Sequence, residues 1–142
     1  MILPHRKRVT KGVLLEDEYY TPQEVSELLT RITIVGKTEV NKVYDSAVGS
    51  GLLLLNFEKI LGKVNVRQGF YGQEIYISTY NLCRINMFLY DVEYYKFDIV
   101  HGDTPTEAQH WDDEPIEAIV SNSPYLIKWE GKDNPLLIEE IA

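Results

Sequence analysis

The sequence has a single cysteine, Cys83, and this scarcity excludes two kinds of structure. An internal disulfide needs two thiols, and a Cys-rich zinc site needs several. The sequence also lacks an apolar run of about 18 residues, so it predicts no membrane-spanning helix. Its basic start is not followed by the apolar segment of a secretory signal. These absences favour a cytoplasmic protein with no metal site.

Positive charge is also scarce, because 22 acidic side chains outnumber 14 lysines and arginines and leave a net charge of −8. A protein that binds DNA alone is expected to present a basic face. Only residues 1–12 are clearly basic, and a loose, solvated terminus over 1–17 is the simplest interpretation of them. We therefore expect partners to supply much of any contact with nucleic-acid phosphates.

What the sequence does contain is an alternation of helix and strand patterns in a chain of 142 residues, enough for one domain. A helix is predicted from 21 to 33, with Thr21 as its N-cap, Pro22 at its first position and Glu24 completing a capping box. Further helices are predicted over 51–61 and 78–89, and strands over 42–45, 69–74, 97–100 and 116–120. The fold class is therefore α/β.

Polar residues follow each predicted strand. Asp45 precedes a loop with Gly49 and Gly51, and the later strands are followed by Glu74, by Asp103 and by residues 122–125. The carboxyl ends of parallel strands share one edge of a sheet, which is where such folds bind ligands. One acid alone is more simply a solvated loop residue. Four clusters at the spacing of successive βα units favour a site for a nucleotide-like ligand.

The last cluster, Asn122-Ser123-Pro124-Tyr125, is the most specific. Asn-x-Pro-Tyr after an apolar strand matches a motif for attack by an amino nitrogen of a base flipped from its duplex. The alternative is a turn closed by Pro124, with Tyr125 in the core.

Taken together, these segments resemble the modification (M) subunit of type I restriction–modification systems. That family comprises adenine-N6 DNA methyltransferases that use S-adenosyl-L-methionine. The resemblance covers about residues 15–130 and rests on 18–22, 45–52, 70–75, 79–87, 101–104 and 120–125.

The resemblance implies a Rossmann-like methyltransferase core, of which this chain contains the first half over 18–142. The family sheet has seven strands in the order 3-2-1-4-5-7-6, and only strands one to four are present here. We therefore expect a truncated, mostly parallel sheet of about four strands with flanking helices. Strand 116–120 becomes an unprotected edge that can pair with another chain.

The resemblance also assigns the site residues. The segment that closes over the cofactor would comprise Glu18, Tyr19, Tyr20, Thr21, Pro22 and Gln23. The loop that binds the cofactor would comprise Asp45, Gly49, Ser50, Gly51 and Leu52. Glu74 would bind the ribose hydroxyls and Asp103 would face the cofactor adenine. Asn122, Ser123, Pro124 and Tyr125 would hold the target adenine.

Four residues depart from the family pattern. Ser46 and Ser123 replace prolines in the cofactor loop and the catalytic motif, Val48 replaces a cysteine of the loop, and Leu52 replaces its last glycine. We therefore expect the isolated chain to bind S-adenosylmethionine weakly and to methylate no DNA.

Three functions remain open from the sequence. The first is a methyltransferase fragment that works with another chain supplying the missing half, and with specificity (S) and restriction (R) subunits. The second is a decayed, non-catalytic remnant that pairs with another M-like chain. The third is an NAD oxidoreductase, which is disfavoured because Leu54 stands where Gly-x-Gly-x-x-Gly requires its last glycine.

Overall fold

The computed structural model describes residues 21–110 and 115–123. Across those residues the elements are α1 (Gln23–Thr33), β1 (Val40–Asp45), α2 (Leu52–Leu61), β2 (Val66–Glu74), α3 (Ile77–Leu89), β3 (Phe97–His101) and β4 (Ile116–Ile119). Short 3₁₀ turns, Lys63–Asn65 and Tyr94–Lys96, precede β2 and β3. None of the helices described is both long and apolar enough to cross a membrane.

The four strands form one sheet in the order β3-β2-β1-β4, and every neighbouring pair is parallel. The predicted four-stranded parallel sheet is confirmed, and β4 is its edge within the described residues. Both β1 and β2 begin earlier than predicted, because the fully buried Val40 and Val66 pair across the two strands. The two central strands are therefore longer than β3 and β4.

The core forms where α2 and α3 pack against the sheet. Apolar side chains from every layer meet there, among them Val43, Phe57, Phe70 and Met87. Burying one such side chain contributes about 1.5–3 kcal/mol, so these contacts are the main stabilising term. On the inner face of α3, Cys83 and Met87 are both fully buried.

The start of α1 differs from the prediction. The helix begins at Gln23, and Pro22 before it has an extended ψ of 146°. Within the described residues no side chain caps this end, so the predicted capping box of Thr21 and Glu24 is wrong. The Thr21 hydroxyl accepts a hydrogen bond from Asn122 instead. A contact across 101 residues of sequence has replaced a local one.

Most apolar positions of α1 lie on its outer side, although Leu29 is partly buried and packs against the core. Val25, Leu28 and Ile32 are exposed, whereas Ser26 and Thr30 are buried. The reason is a polar contact with α2, in which the Asn56 side chain bonds to both Ser26 and Gln23. The apolar spacing therefore predicts the helix correctly but does not identify the face that packs.

Gly69→Ala is expected to destabilise the chain far more than Gly36→Ala. Both glycines have positive φ, +117° and +76°, but a Cβ on Gly69 would collide with the Lys96 carbonyl. Gly36 has no neighbouring atom within 4 Å of that position. Conformational strain alone costs about 1–2 kcal/mol, and the collision adds about 1–3 kcal/mol. Urea unfolding measures both, and equal losses would contradict this account of the β2–β3 contact.

Candidate functional site

The loop after β1 presses its backbone against α3. Gly51 has φ +82°, and a Cβ there would lie 2.7 Å from the Cys83 sulfur and 3.1 Å from the Met87 methyl carbon. Only glycine fits this position without displacing the Cys83 and Met87 side chains of α3. The loop leads directly into the N-terminus of α2, which begins at Leu52. Free N–H groups and the positive end of the helix dipole favour an anionic or polar ligand there.

Asn86 holds this loop from behind. Its Nδ2 donates to the Ser50 carbonyl at 2.8 Å, and both residues are buried. The sequence marks Asn86 only as part of the family-like segment 79–87, without a role. A signal was available, because Asn86 is a polar residue on the same helical face as the buried Cys83 and Met87.

Asp45 is a buried carboxyl at the end of β1, with 1% of its surface exposed. Its Oδ1 accepts from the Ala47 N–H at 2.9 Å, and the Ser121 side chain is a second hydrogen-bond partner. Burial raises the pKa of Asp45 to about 7, and the nearby Glu74 charge acts in the same direction. Asp45 thus joins the loop after β1 to the residues after β4.

Glu74 ends β2 and faces the same loop. Its Oε2 accepts from the Gly49 N–H at 2.9 Å and its Oε1 from the Tyr76 N–H at 3.0 Å. These two bonds fix the orientation of the carboxylate at the end of the strand. A carboxylate held in this way can accept hydrogen bonds from a pair of neighbouring hydroxyls.

Asp103 lies in the segment that follows β3. Its Oδ2 accepts from the Thr106 hydroxyl at 3.0 Å. The next residue, Thr104, donates to the Ser46 carbonyl at 2.6 Å, which ties this segment to the loop after β1. The loops that follow three strands are therefore in direct contact, as the parallel sheet leads one to expect.

Asn122 follows β4 at the same edge. Its Nδ2 donates to the Thr21 hydroxyl at 2.9 Å, so the predicted catalytic motif meets the segment predicted to close over the cofactor. Ser123 is exposed, whereas Gln23 is turned toward Asn56 on α2. Five predicted site residues lie outside the described residues: Glu18, Tyr19, Tyr20, Pro124 and Tyr125.

The fold is the Rossmann-like fold of methyltransferases. It matches the crystal structure of a type I restriction–modification methyltransferase subunit from Streptococcus thermophilus with a TM-score of 0.72 and 35% identity, over 79% of this chain and 24% of that one. A class I S-adenosylmethionine-dependent methyltransferase from Listeria monocytogenes matches with a TM-score of 0.63 and 19% identity, over 84% of this chain and 38% of that one.

The chain belongs to the N-6 DNA methylase family, whose sequence profile matches residues 11–139. The type I restriction enzyme MpnII methylase subunit of Mycoplasma pneumoniae is 44% identical to it in an alignment of 133 residues that covers 87% of this chain and 24% of that protein. The HindI methylase subunit of Haemophilus influenzae is 28% identical over 74% of this chain and 23% of its own length. This chain thus spans about a quarter of these relatives.

Asp45→Asn is expected to stabilise the chain at pH 8 and to have little effect near pH 4. The folded state keeps the Asp45 proton up to about pH 7, whereas the unfolded state releases it near 3.8, so stability falls as the pH rises between these values. Full removal of this penalty is worth up to about 4 kcal/mol. Asparagine can still accept from Ala47.

The measurement is urea unfolding at both pH values, with the exposed Asp91→Asn as the control for loss of a surface charge. The same change in unfolding free energy at pH 4 and pH 8 would show that ionisation of Asp45 does not oppose folding.

Proposed function

We propose that this chain forms the cofactor loop and the target-base motif of a type I modification subunit, which transfers a methyl group from S-adenosylmethionine to adenine N6 in DNA. The observation that carries the proposal is the single sheet edge where four parallel strands end, with Asp45 and Glu74 as the last residues of β1 and β2 and with Asp103 and Asn122 just after β3 and β4. Membership of the N-6 DNA methylase family supports it.

The edge offers a different chemistry to each part of the cofactor. Ser50, Gly51 and Leu52 would line its methionine and ribose side, since they lead into the first turn of α2, whose N–H groups have no partner within the helix. The oriented carboxylate of Glu74 would accept from the ribose hydroxyls. Asp103 would accept from the adenine amino group. Although Leu52 stands where the family has a glycine, its side chain packs against the core, so it does not occupy the cofactor space by itself.

Asn122 would hold the amino group of the target adenine. The Asn122 amide nitrogen donates a hydrogen bond to the Thr21 hydroxyl, and this bond sets the rotation of the Asn122 carboxamide. The side-chain oxygen of Asn122 and the carbonyl of Ser123 would accept hydrogen bonds from the amino group of the target adenine. Tyr125 would stack on the base. The cofactor supplies an electrophilic methyl group, so the protein contributes position and electrostatics rather than covalent chemistry.

The remaining parts of the machinery are proposed from the relatives. A specificity subunit would read the DNA, and a restriction subunit would complete the complex in the cytoplasm. Another polypeptide, or another part of the same protein, would supply the strands that pair with β4. The net charge of −8 agrees with a chain that leaves most DNA contacts to partners.

A non-catalytic pairing module is the second candidate. Ser46, Leu52 and Ser123 depart from the family pattern, and β4 has an exposed Ile119 with 63% of its surface accessible. An apolar edge strand is a template for pairing with another chain. This candidate differs from the first by predicting no cofactor binding at the loop.

Titration of S-adenosylhomocysteine into the isotope-labelled chain tests the proposed function. We expect NMR shifts at Gly49, Gly51 and Glu74 that saturate only above about 100 µM, because the loop departs from the family pattern. Glu74→Gln should weaken binding about tenfold by removing the charged acceptor, whereas the exposed Glu93→Gln should not. The absence of shifts at these residues at millimolar ligand would overturn the proposal and favour the pairing module.

Methyl transfer provides the second test. The isolated chain is expected to incorporate no labelled methyl group into duplex DNA, since the described sheet ends at β4. A chain extended with further strands of the family sheet and carrying Ser46→Pro and Ser123→Pro should methylate adenine when the specificity subunit is present. Transfer by the isolated chain would contradict the need for those further strands, and continued inactivity of the extended chain would count against a catalytic role.

A further inference from the structure

We propose that Gln73 is a positioning residue for the cofactor adenine. Its side chain holds residues 103–110, the segment after β3, against the sheet, and thereby places Asp103 at the adenine end of the site. This inference rests on the proposed function for its ligand, but the hold on the segment is a property of the chain itself.

The Gln73 side chain is fully buried and bonds to the segment through both of its polar atoms. Its Oε1 accepts from the Gln109 N–H at 2.7 Å and from the Tyr44 hydroxyl at 3.2 Å. Its Nε2 donates to the Glu107 carbonyl at 3.0 Å. The two contacts with the segment use backbone atoms of Glu107 and Gln109, whose side chains are exposed.

The neighbouring backbone completes a bridge between two loops. The Gln73 carbonyl accepts from the Val48 N–H at 2.9 Å, in the loop after β1. The Glu74 carbonyl accepts from the Gly102 N–H at 3.0 Å, at the start of the segment after β3. The positions of the two proposed cofactor-binding loops are therefore fixed by consecutive residues of β2.

The two ends of the segment are anchored separately. At the first end, Thr104 bonds to Ser46. At the other end, the His110 ring packs edge-on between Tyr44 and Tyr71, with centroid distances of 5.8 and 5.3 Å, and lies 3.1 Å from the Gly72 carbonyl oxygen. Gln73 attaches the middle, because the other hydrogen bonds described for residues 105–109 are local ones, to Asp103 and between Glu107 and Gln109.

The chemistry of the position requires a carboxamide. Two of its partners, the Gln109 N–H and the Tyr44 hydroxyl, are donors, and the third, the Glu107 carbonyl, is an acceptor. Glutamine supplies an acceptor and a donor at the tip of one side chain. An ionised glutamate would keep the acceptor and lose the donor, and leucine would lose both.

Amide hydrogen exchange tests the hold on the segment. In Gln73→Leu the Gln109 amide is expected to exchange about tenfold faster or more, because it loses its buried acceptor. Gln73→Glu retains that acceptor and should leave the Gln109 amide protected, which keeps the test decisive if the leucine variant does not fold. Glu107→Ala and Gln109→Ala are matched controls, since both contacts use their backbone atoms.

A pair of ligands tests the placement of Asp103. S-adenosylhomocysteine carries the adenine amino group, and S-inosylhomocysteine has an oxygen in its place. The unaltered chain is expected to prefer the adenine ligand, and Gln73→Leu should reduce that preference about tenfold while binding of the inosine ligand changes by less than about twofold. A merely structural role would weaken both ligands equally.

Each result decides the inference. Faster exchange at Gln109 together with loss of the adenine preference supports it. The hold on the segment is overturned if Gln73→Leu leaves exchange of the Gln109 amide unchanged. It is also overturned if exchange of this amide is accelerated in Gln73→Glu and equally in both alanine controls. Equal weakening of both ligands overturns the placement of Asp103. If the unaltered chain binds neither ligand, the proposed function and the role of Gln73 toward adenine both fail. Amide hydrogen exchange at Gln109 still tests whether Gln73 holds residues 103–110.

Discussion

Buried polar groups at the end of β2 constrain the rest of the site, because a buried donor or acceptor must find a partner. Glu74 and Gln73 satisfy this requirement with atoms of the loops after β1 and β3. Gly72 beside them leaves room for Val48, whose side chain would lie 3.0 Å from a Cβ at that position. The strand between the two loops therefore determines how close they come to each other.

The same edge carries an energetic cost. Asp45 loses its hydration on folding, and the nearby Glu74 charge makes its ionisation harder still. A buried carboxyl with so displaced a pKa is typical of functional sites, where local stability is given up for a fixed arrangement of charges. The apolar contacts of Leu54, Phe57 and Phe70 lie beneath this edge and offset that cost.

Local patterns were sufficient for the architecture. Alternating strand and helix patterns predicted the parallel sheet, and the rule that such strands present one common edge brought Asp45, Glu74 and Asp103 together. They were insufficient wherever a side chain bonds to a distant partner. Thr21 looks like a helix cap until Asn122 is placed beside it, and Gln73 has no visible role until residues 107–109 cross the sheet. The outward apolar face of α1 was missed for the same reason.

The central position of β2 makes the site sensitive to a class of change other than substitution. Successive side chains of a strand point to opposite faces, so deletion of one codon between Phe70 and Gly72, where β2 pairs regularly with both of its neighbours, would exchange the faces of Gln73 and Glu74. The amide would then point to the loop after β1 and the carboxylate toward the segment after β3, although both residues are retained. Between Val66 and Gly69, by contrast, β2 already has one residue more than β1, and a deletion there can be absorbed by loss of that irregularity.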